Sequence, residues 1–224
     1  APTPSPGAGE VLLRVPAAGV NNTEINTRLG WYSSSVRAGT DGADDGATRD
    51  DGGWNEATPF PLIQGTDCCG RIVAAGPGGD AARIGERVIV RACMRSDGFG
   101  AMRTVWLGSD FDGAFAQYVK APATEVFAVD ADWSDAQLAS TPCAYGTAEN
   151  MAARAGIGPG MRVFVPGASG GVGSALIQLA KRRGAEVVGV TGADKLRIVR
   201  EIGADRVLTR EDDPLDVLGA ESVD

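Results

Sequence analysis

The 224-residue sequence contains no histidine. That absence excludes Ser-His-Asp and Cys-His nucleophile systems and any zinc site that needs an imidazole ligand. Cysteine is sparse. Cys68, Cys69, Cys93 and Cys143 form no Cys-x-x-Cys pair, so neither a zinc ribbon nor a thioredoxin-like motif is present. No apolar run approaches the roughly 18 residues of a membrane-spanning helix. The opening APTPSPGAGE has neither the basic nor the apolar stretch of a secretory leader. Four thiols without a leader fit a reducing compartment, so a cytoplasmic location is expected. Basic residues are in the minority: 21 Lys+Arg against 29 Asp+Glu give a net charge of −8. That balance argues against a nucleic-acid or anionic-membrane partner.

Glycine is plentiful instead. Its 32 residues are about twice the ordinary share and imply many turns and close backbone approaches. With 43% apolar and 22% charged residues, the chain can build a sizeable core. Its length suggests one large or two small domains.

The composition divides the chain. Residues 33–59 are polar and Asp-rich without apolar periodicity, which reads as a long surface loop. Strands are expected at Glu10–Val15, Gly70–Ala75, Val88–Arg91, Phe115–Val119 and Val126–Val129. Their spacing and Gly/Pro turns indicate a small antiparallel barrel. Near residue 132 the period changes. Asp132 or Ser134 can cap a helix through Ala139, and a second helix is expected over Ala144–Ala155. Then Arg162–Val165 (strand), a Gly-rich turn, a helix to Arg183, Glu186–Val190 (strand), Lys195–Ile202 (helix) and Ala204–Leu208 (strand) follow in βαβαβ order. That order implies a parallel sheet.

The strongest motif is Val163-Phe-Val-Pro-Gly-Ala-Ser-Gly-Gly-Val-Gly173. It follows a buried strand and opens an amphipathic helix, the context a dinucleotide-binding turn requires. Without Cβ atoms, Gly170 and Gly171 let a pyrophosphate approach the backbone, and Gly173 lets the helix pack closely on its strand. The helix N-terminus adds unpaired N–H groups and partial positive charge. Ser169, Gly170, Gly171 and Val172 are therefore candidate cofactor-binding residues. The following strand ends Val190-Thr191-Gly192, without the Asp or Glu that holds the ribose 2′-hydroxyl of NADH. Thr191 and Lys195 would meet a 2′-phosphate instead, which favours NADPH.

These residues resemble the medium-chain dehydrogenase/reductase family, in particular its zinc-independent, quinone-oxidoreductase-like branch. The resemblance is carried by Glu10–Asn21, Gly65-Thr-Asp-Cys-Cys-Gly70, Gly85-Glu-Arg-Val88, Gly113–Val119, Pro142–Ala148 and Ala168–Gly173. It implies an α/β fold, with a GroES-like β-barrel domain at 1–131 and a Rossmann domain at 132–224. The implied activity is hydride transfer to a quinone, enone or related carbonyl compound. Zinc-type relatives hold zinc at positions occupied here by Asn21, Thr66 and Cys143, so no metal site is expected, and Cys143 reads as a small buried hydrophobe. By the resemblance, Asn21 lies beside the nicotinamide, Thr23 takes a proton-relay position, Tyr32 faces the substrate and Thr147 contacts the nicotinamide. A zinc-type alcohol dehydrogenase with unusual ligands and a non-catalytic NADPH-binding protein are the alternatives. The 63 residues from Arg162 to Asp224 suffice for about two βα units and the start of a third. The sequence thus reads as part of a longer enzyme, a homodimer in its full-length form, acting on a small-molecule substrate.

Overall fold

The computed structural model describes residues 1–32, 55, 57–95, 97, 98, 100, 101 and 103–224. The polar loop expected at 33–59 lies mostly outside the described residues. The chain divides into two compact units, Ala1–Cys143 and Ala144–Asp224.

The first unit is built on a five-stranded, wholly antiparallel sheet. Its strands are β1 (Glu10–Gly19), β2 (Asp67–Ala75), β3 (Arg87–Val90), β6 (Tyr118–Pro122) and β7 (Val126–Ala128), in the order β6-β1-β2-β3-β7. Two-residue strands β4 (Cys93–Met94) and β5 (Val105–Trp106) form a separate small pair. Alternation fixes the inner face. In β3 and β6 every second residue is buried, and Val88, Val90, Val119 and Ala121 join Val11, Leu13 and Ile72 in one core.

Two differences from the sequence pattern have identifiable causes. β1 does not stop before Pro16 but runs on to Gly19. The register with β2 shifts between Arg14 and Ala17, so the proline, which has no N–H, sits in a bulge where none is needed. The strand expected from Phe115 begins at Tyr118. The N–H groups of Gly113, Ala114 and Phe115 bond instead to the carbonyls of Ile63, Gly65 and Gln64 at 2.6, 2.9 and 2.8 Å.

Two helices complete this unit's frame. α1 (Asn22–Arg28) follows β1 directly. α2 (Asp135–Ala139), which the sequence pattern groups with the second domain, packs on β1 and β2. Ser134 caps it, accepting the Gln137 N–H at 3.2 Å. Its buried Leu138 and Ala139 meet Cys69. α3 (Pro142–Arg154) begins at the end of the first unit and continues in the second.

The second unit carries the expected parallel sheet in the order β10-β9-β8. The strands are β8 (Arg162–Val165), β9 (Glu186–Thr191) and β10 (Arg206–Thr209), and the helices are α4 (Gly171–Arg182), α5 (Leu196–Ile202) and α6 (Pro214–Leu218). α4 buries Ala175, Leu176, Ile177 and Ala180, one helical stripe, against Val165, Val187 and Val199. Gly203 ends α5 at φ 124°, a conformation that L side chains rarely adopt. No helix among the described residues is long and apolar enough to cross a membrane.

Candidate active site

In the first unit the junctions β1–α1, loop–β2 and the start of α3 bring six residues, Asn21, Thr23, Glu24, Thr66, Asp67 and Cys143, into one knot. Glu24, in the first turn of α1, is only 5% exposed. Its Oε2 accepts the Asn21 backbone N–H at 2.7 Å, closing a capping box with Asn21. Its Oε1 accepts both the backbone N–H and the hydroxyl of Thr66, at 2.9 and 2.8 Å. The Asn21 amide nitrogen donates to Asp67 Oδ2 at 3.0 Å and to Thr66 Oγ1 at 3.4 Å. The other Asp67 oxygen accepts the Cys143 N–H at 2.7 Å, capping α3 from outside the helix. Thr23 Oγ1 lies 4.0 Å from Cys143 Sγ.

The knot's titration follows from its burial. Asp67 is fully buried, and loss of hydration raises its carboxyl to about 6. The bonds from Asn21 and Cys143 oppose that shift, and the charge of Glu24 adds to it. Burial, with the Asp67 charge next, pushes the Cys143 thiol up to about 11, so it stays protonated at neutral pH. A neutral thiol is not an effective nucleophile.

In the second unit the Gly-rich turn joins β8 to α4. Gly167 takes φ 65° and its carbonyl accepts the Gly170 N–H at 2.9 Å; the Ala168 N–H bonds to Val190 O at 2.9 Å, tying the turn to β9. Gly170 is the N-cap of α4 and has no side chain to satisfy the helix's first N–H groups. A Cβ on Gly170 would lie 3.3 Å from the Gly167 carbonyl oxygen, a tight contact, whereas a Cβ on Gly171 would meet only Ala144 Cβ at 3.6 Å. Protein packing does not demand the glycine at 171, so the space beside it fits a ligand. Gly173 is different: a Cβ there would collide with the Gly167 carbonyl oxygen and lie 2.9 Å from Ala168 Cα. The residues present therefore fit a dinucleotide's phosphates.

The remaining candidates are placed as follows. Thr191 ends β9, is 2% exposed, and donates its hydroxyl to Ser169 Oγ at 2.9 Å. Val172 is half-buried in the first turn of α4. Lys195 is exposed at the end of the single turn Ala193–Lys195. Thr147 is exposed on α3. Tyr32 is half-buried and meets Trp31 edge-on, ring centres 5.6 Å apart. Glu24 escaped the sequence reading. Its only local signal is the Asn21-x-x-Glu24 spacing of a capping box; its bonds to Thr66 span 42 residues.

Comparison with known proteins sets these units in a family. A family model described as "Alcohol dehydrogenase GroES-like domain" matches residues 7–131, and one described as "Zinc-binding dehydrogenase" matches 171–222. The acryloyl-coenzyme A reductase of Metallosphaera sedula is 27% identical over 214 residues, covering 92% of this chain and 58% of its own length. The structure of a putative alcohol dehydrogenase from Sinorhizobium meliloti 1021 superposes with a TM-score of 0.80 at 42% identity, covering 96% of this chain and 58% of that one. A mycobacterial protein solved with NADPH superposes with a TM-score of 0.71 at 27% identity, covering 98% of this chain and 56% of that one. The chain belongs to the medium-chain dehydrogenase/reductase family, with its GroES-like and Rossmann-type domains. It spans little more than half the length of these relatives.

The second description raises the question of zinc, and the knot does not fit it. Both Asp67 oxygens accept hydrogen bonds, the Asn21 amide nitrogen is a donor, the Thr66 proton is committed to Glu24, and Cys143 offers the knot a single sulfur. Zinc needs four lone-pair donors, commonly with thiolate or imidazole among them. Among the described residues, no group of three or more His, Cys, Asp or Glu side chains could hold a metal ion. A chelator is therefore expected to leave the melting temperature unchanged, within about 1 °C, in differential scanning calorimetry. A chelator-induced drop reversed by zinc would contradict the reading.

Proposed function

We propose that the protein acts as an NADPH-dependent reductase of conjugated carbonyl compounds, a quinone or an enone, without catalytic zinc. The observation that carries the reading is the Gly167–Gly173 turn at the start of α4, beside a β9 that ends in Thr191 rather than an acid. The two relatives whose names point to an unsaturated thioester and to NADPH support it. Bound NADPH supplies a hydride.

This chain's residues do the rest. The N–H groups at the start of α4 and the bare backbone of Gly170 and Gly171 receive the pyrophosphate. Lys195 meets the 2′-phosphate. Conjugation spreads the charge of the reduced acceptor onto its oxygen, so a strong Lewis acid is not required and positioning supplies much of the rate. Asn21 orients the site instead of donating to that oxygen, because its amide hydrogens serve Asp67 and Thr66. Thr23 Oγ1, the protonated Cys143 Sγ and Tyr32 are the groups proposed to donate there, and Thr147 to steady the nicotinamide.

A panel of quinones, enones, aldehydes and alcohols, followed by absorbance with NADPH and NADH, tests the reading. Turnover of quinones or enones is expected, with NADPH preferred. Turnover of simple alcohols alone would overturn it, and tight dinucleotide binding without any turnover would define a non-catalytic binding protein. Lys195→Ala is expected to weaken NADPH binding about tenfold, the worth of a desolvated phosphate–ammonium contact, and to leave NADH binding within about twofold. Equal losses for both dinucleotides, measured by fluorescence titration, would remove Lys195 from the 2′-phosphate.

A further inference from the structure

The outer face of the first unit's sheet carries a row of cations that the protein does not fully neutralise. Leu13, Ile72, Val88 and Val119 belong to the core on the inner face. Side chains alternate along a strand, so their chain neighbours Arg14, Arg71, Arg87 and Tyr118 lie on the opposite face. The register sets these four side by side. Tyr118 stands opposite Arg14, Arg14 opposite Arg71, and Arg71 opposite Arg87. Like charges directly opposite each other across two strands are destabilising.

Only one of the three arginines finds a counter-charge. Arg87 Nε pairs with Asp135 at 2.7 Å, and its other nitrogens donate to the carbonyls of Ala131 and Trp133. Lys120, two residues beyond Tyr118 on β6, is matched by Glu10 at 2.9 Å. Arg14 and Arg71 are exposed, and among the described residues no side-chain or backbone group accepts from either guanidinium. This facing pair of cations persists in a chain whose net charge is −8.

Beside Arg14 the surface is concave. A recess of about 310 Å³ is lined by Arg14, Val15, Pro16, Gln117 and Tyr118, at the bulge where β1 leaves register with β2. Among the described residues the Tyr118 hydroxyl and the Gln117 side-chain amide have no partner. Two guanidinium groups are donors only, and one carboxylate would leave the pair net positive. A phosphate dianion neutralises both and offers several oxygens to their planar forks. Val15, Pro16 and the Tyr118 ring supply apolar walls for an organic group attached to it.

We propose that Arg14 and Arg71 bind the phosphate group of a small phosphomonoester, with Tyr118 donating to the same group and the recess at Pro16 receiving the ester's organic part. The site lies within the first unit and is independent of the dinucleotide reading of the Gly167–Gly173 turn.

Isothermal titration calorimetry at pH 8 and low salt tests it, with phenyl phosphate, inorganic phosphate and benzoate as probes. Phenyl phosphate is expected to bind about tenfold more tightly than benzoate and about threefold more tightly than inorganic phosphate. Arg14→Gln and Arg71→Gln are each expected to weaken phenyl phosphate about tenfold, and Tyr118→Phe about threefold. Gly171→Ala, in the other unit, is expected to leave it unchanged. Without ligand, Arg71→Gln should melt at or above the wild-type temperature, because it relieves the facing charges.

A wild type that does not bind phenyl phosphate overturns the inference, as does binding that survives both arginine substitutions. Benzoate or inorganic phosphate bound as tightly as phenyl phosphate overturns the assignment to a phosphomonoester. Binding lost in Gly171→Ala would place the ester at the dinucleotide turn instead. An Arg71→Gln variant that melts well below the wild type would give the pair a structural role and sink the proposal, while the dinucleotide reading stands.

Discussion

Gly173→Ala is expected to destabilise the second unit by about 3 kcal/mol and to weaken dinucleotide binding at least a hundredfold. The new Cβ would collide with the Gly167 carbonyl oxygen and stand 2.9 Å from Ala168 Cα and 3.0 Å from Gly167 C. These are backbone atoms of a tight turn, not the flexible end of a side chain, so the turn or the helix has to move. Overpacking of this kind typically costs about 1–3 kcal/mol, and more where the neighbours cannot give. Gly171→Ala is the control. Its Cβ meets only Ala144 Cβ at 3.6 Å, and alanine is the better helix former, so stability should hold or rise by about 0.5 kcal/mol. Binding should still fall, because the methyl occupies the phosphate's approach. Urea unfolding and fluorescence titration of both variants check the pair. A stable, binding-competent Gly173→Ala would mean that the close contact of α4 with the turn is not required.

A second large effect is expected at Asp67, as a pH dependence. The unfolded chain holds this carboxyl near 3.8, and burial raises it to about 6 in the folded protein. Between those values the folded state binds the extra proton. Stability from this group is therefore full below about pH 4 and is lost as pH rises through about 6. The shift of about two units corresponds to ~3 kcal/mol. Asp67→Asn has no proton to lose. Relative to the wild type, the variant should gain ~2–3 kcal/mol between pH 4 and pH 7. Its offset at pH 4 reports the altered bond to Asn21. Urea midpoints at pH 4, 5, 6 and 7 for both proteins provide the measurement. Parallel curves would show that Asp67 is ionised normally and that the knot is better hydrated than its burial implies.

Both predictions come from contacts of different range, and that difference separates what the amino-acid order decides from what it leaves open. The second unit's sheet and turn are local. β8 coincides with the expected strand, α4 begins within the Gly-rich turn and ends one residue before Arg183, and β9 extends its expected span by one residue. A hydrophobic stripe, a glycine stop and a buried run each act within a few residues, so they can be read in one dimension. The antiparallel sheet of the first unit was legible in kind but not in its edges. Whether Phe115 or Tyr118 starts β6 depends on Ile63, Gln64 and Gly65 claiming the intervening N–H groups, about 50 residues away. Pro16 stays within β1 only because β2 tolerates a bulge opposite it.

The sites follow the same division. Gly170, Gly171 and Gly173 could be placed on the β8–α4 turn from spacing alone, because that turn is a single short segment. The sequence alone determined the class of fold, the missing imidazole, and the absent acid at the end of β9. Only tertiary structure decided that Asn21 spends its amide on Asp67 and Thr66, and that Glu24 is buried to receive Thr66. It also decided that Thr191 bonds to Ser169. Those bonds join residues 22 to 46 positions apart. The direction of a hydrogen bond depends on which partner is buried and what else competes for its proton. A residue's own identity carries neither fact, because both are set when distant segments pack together and exclude water.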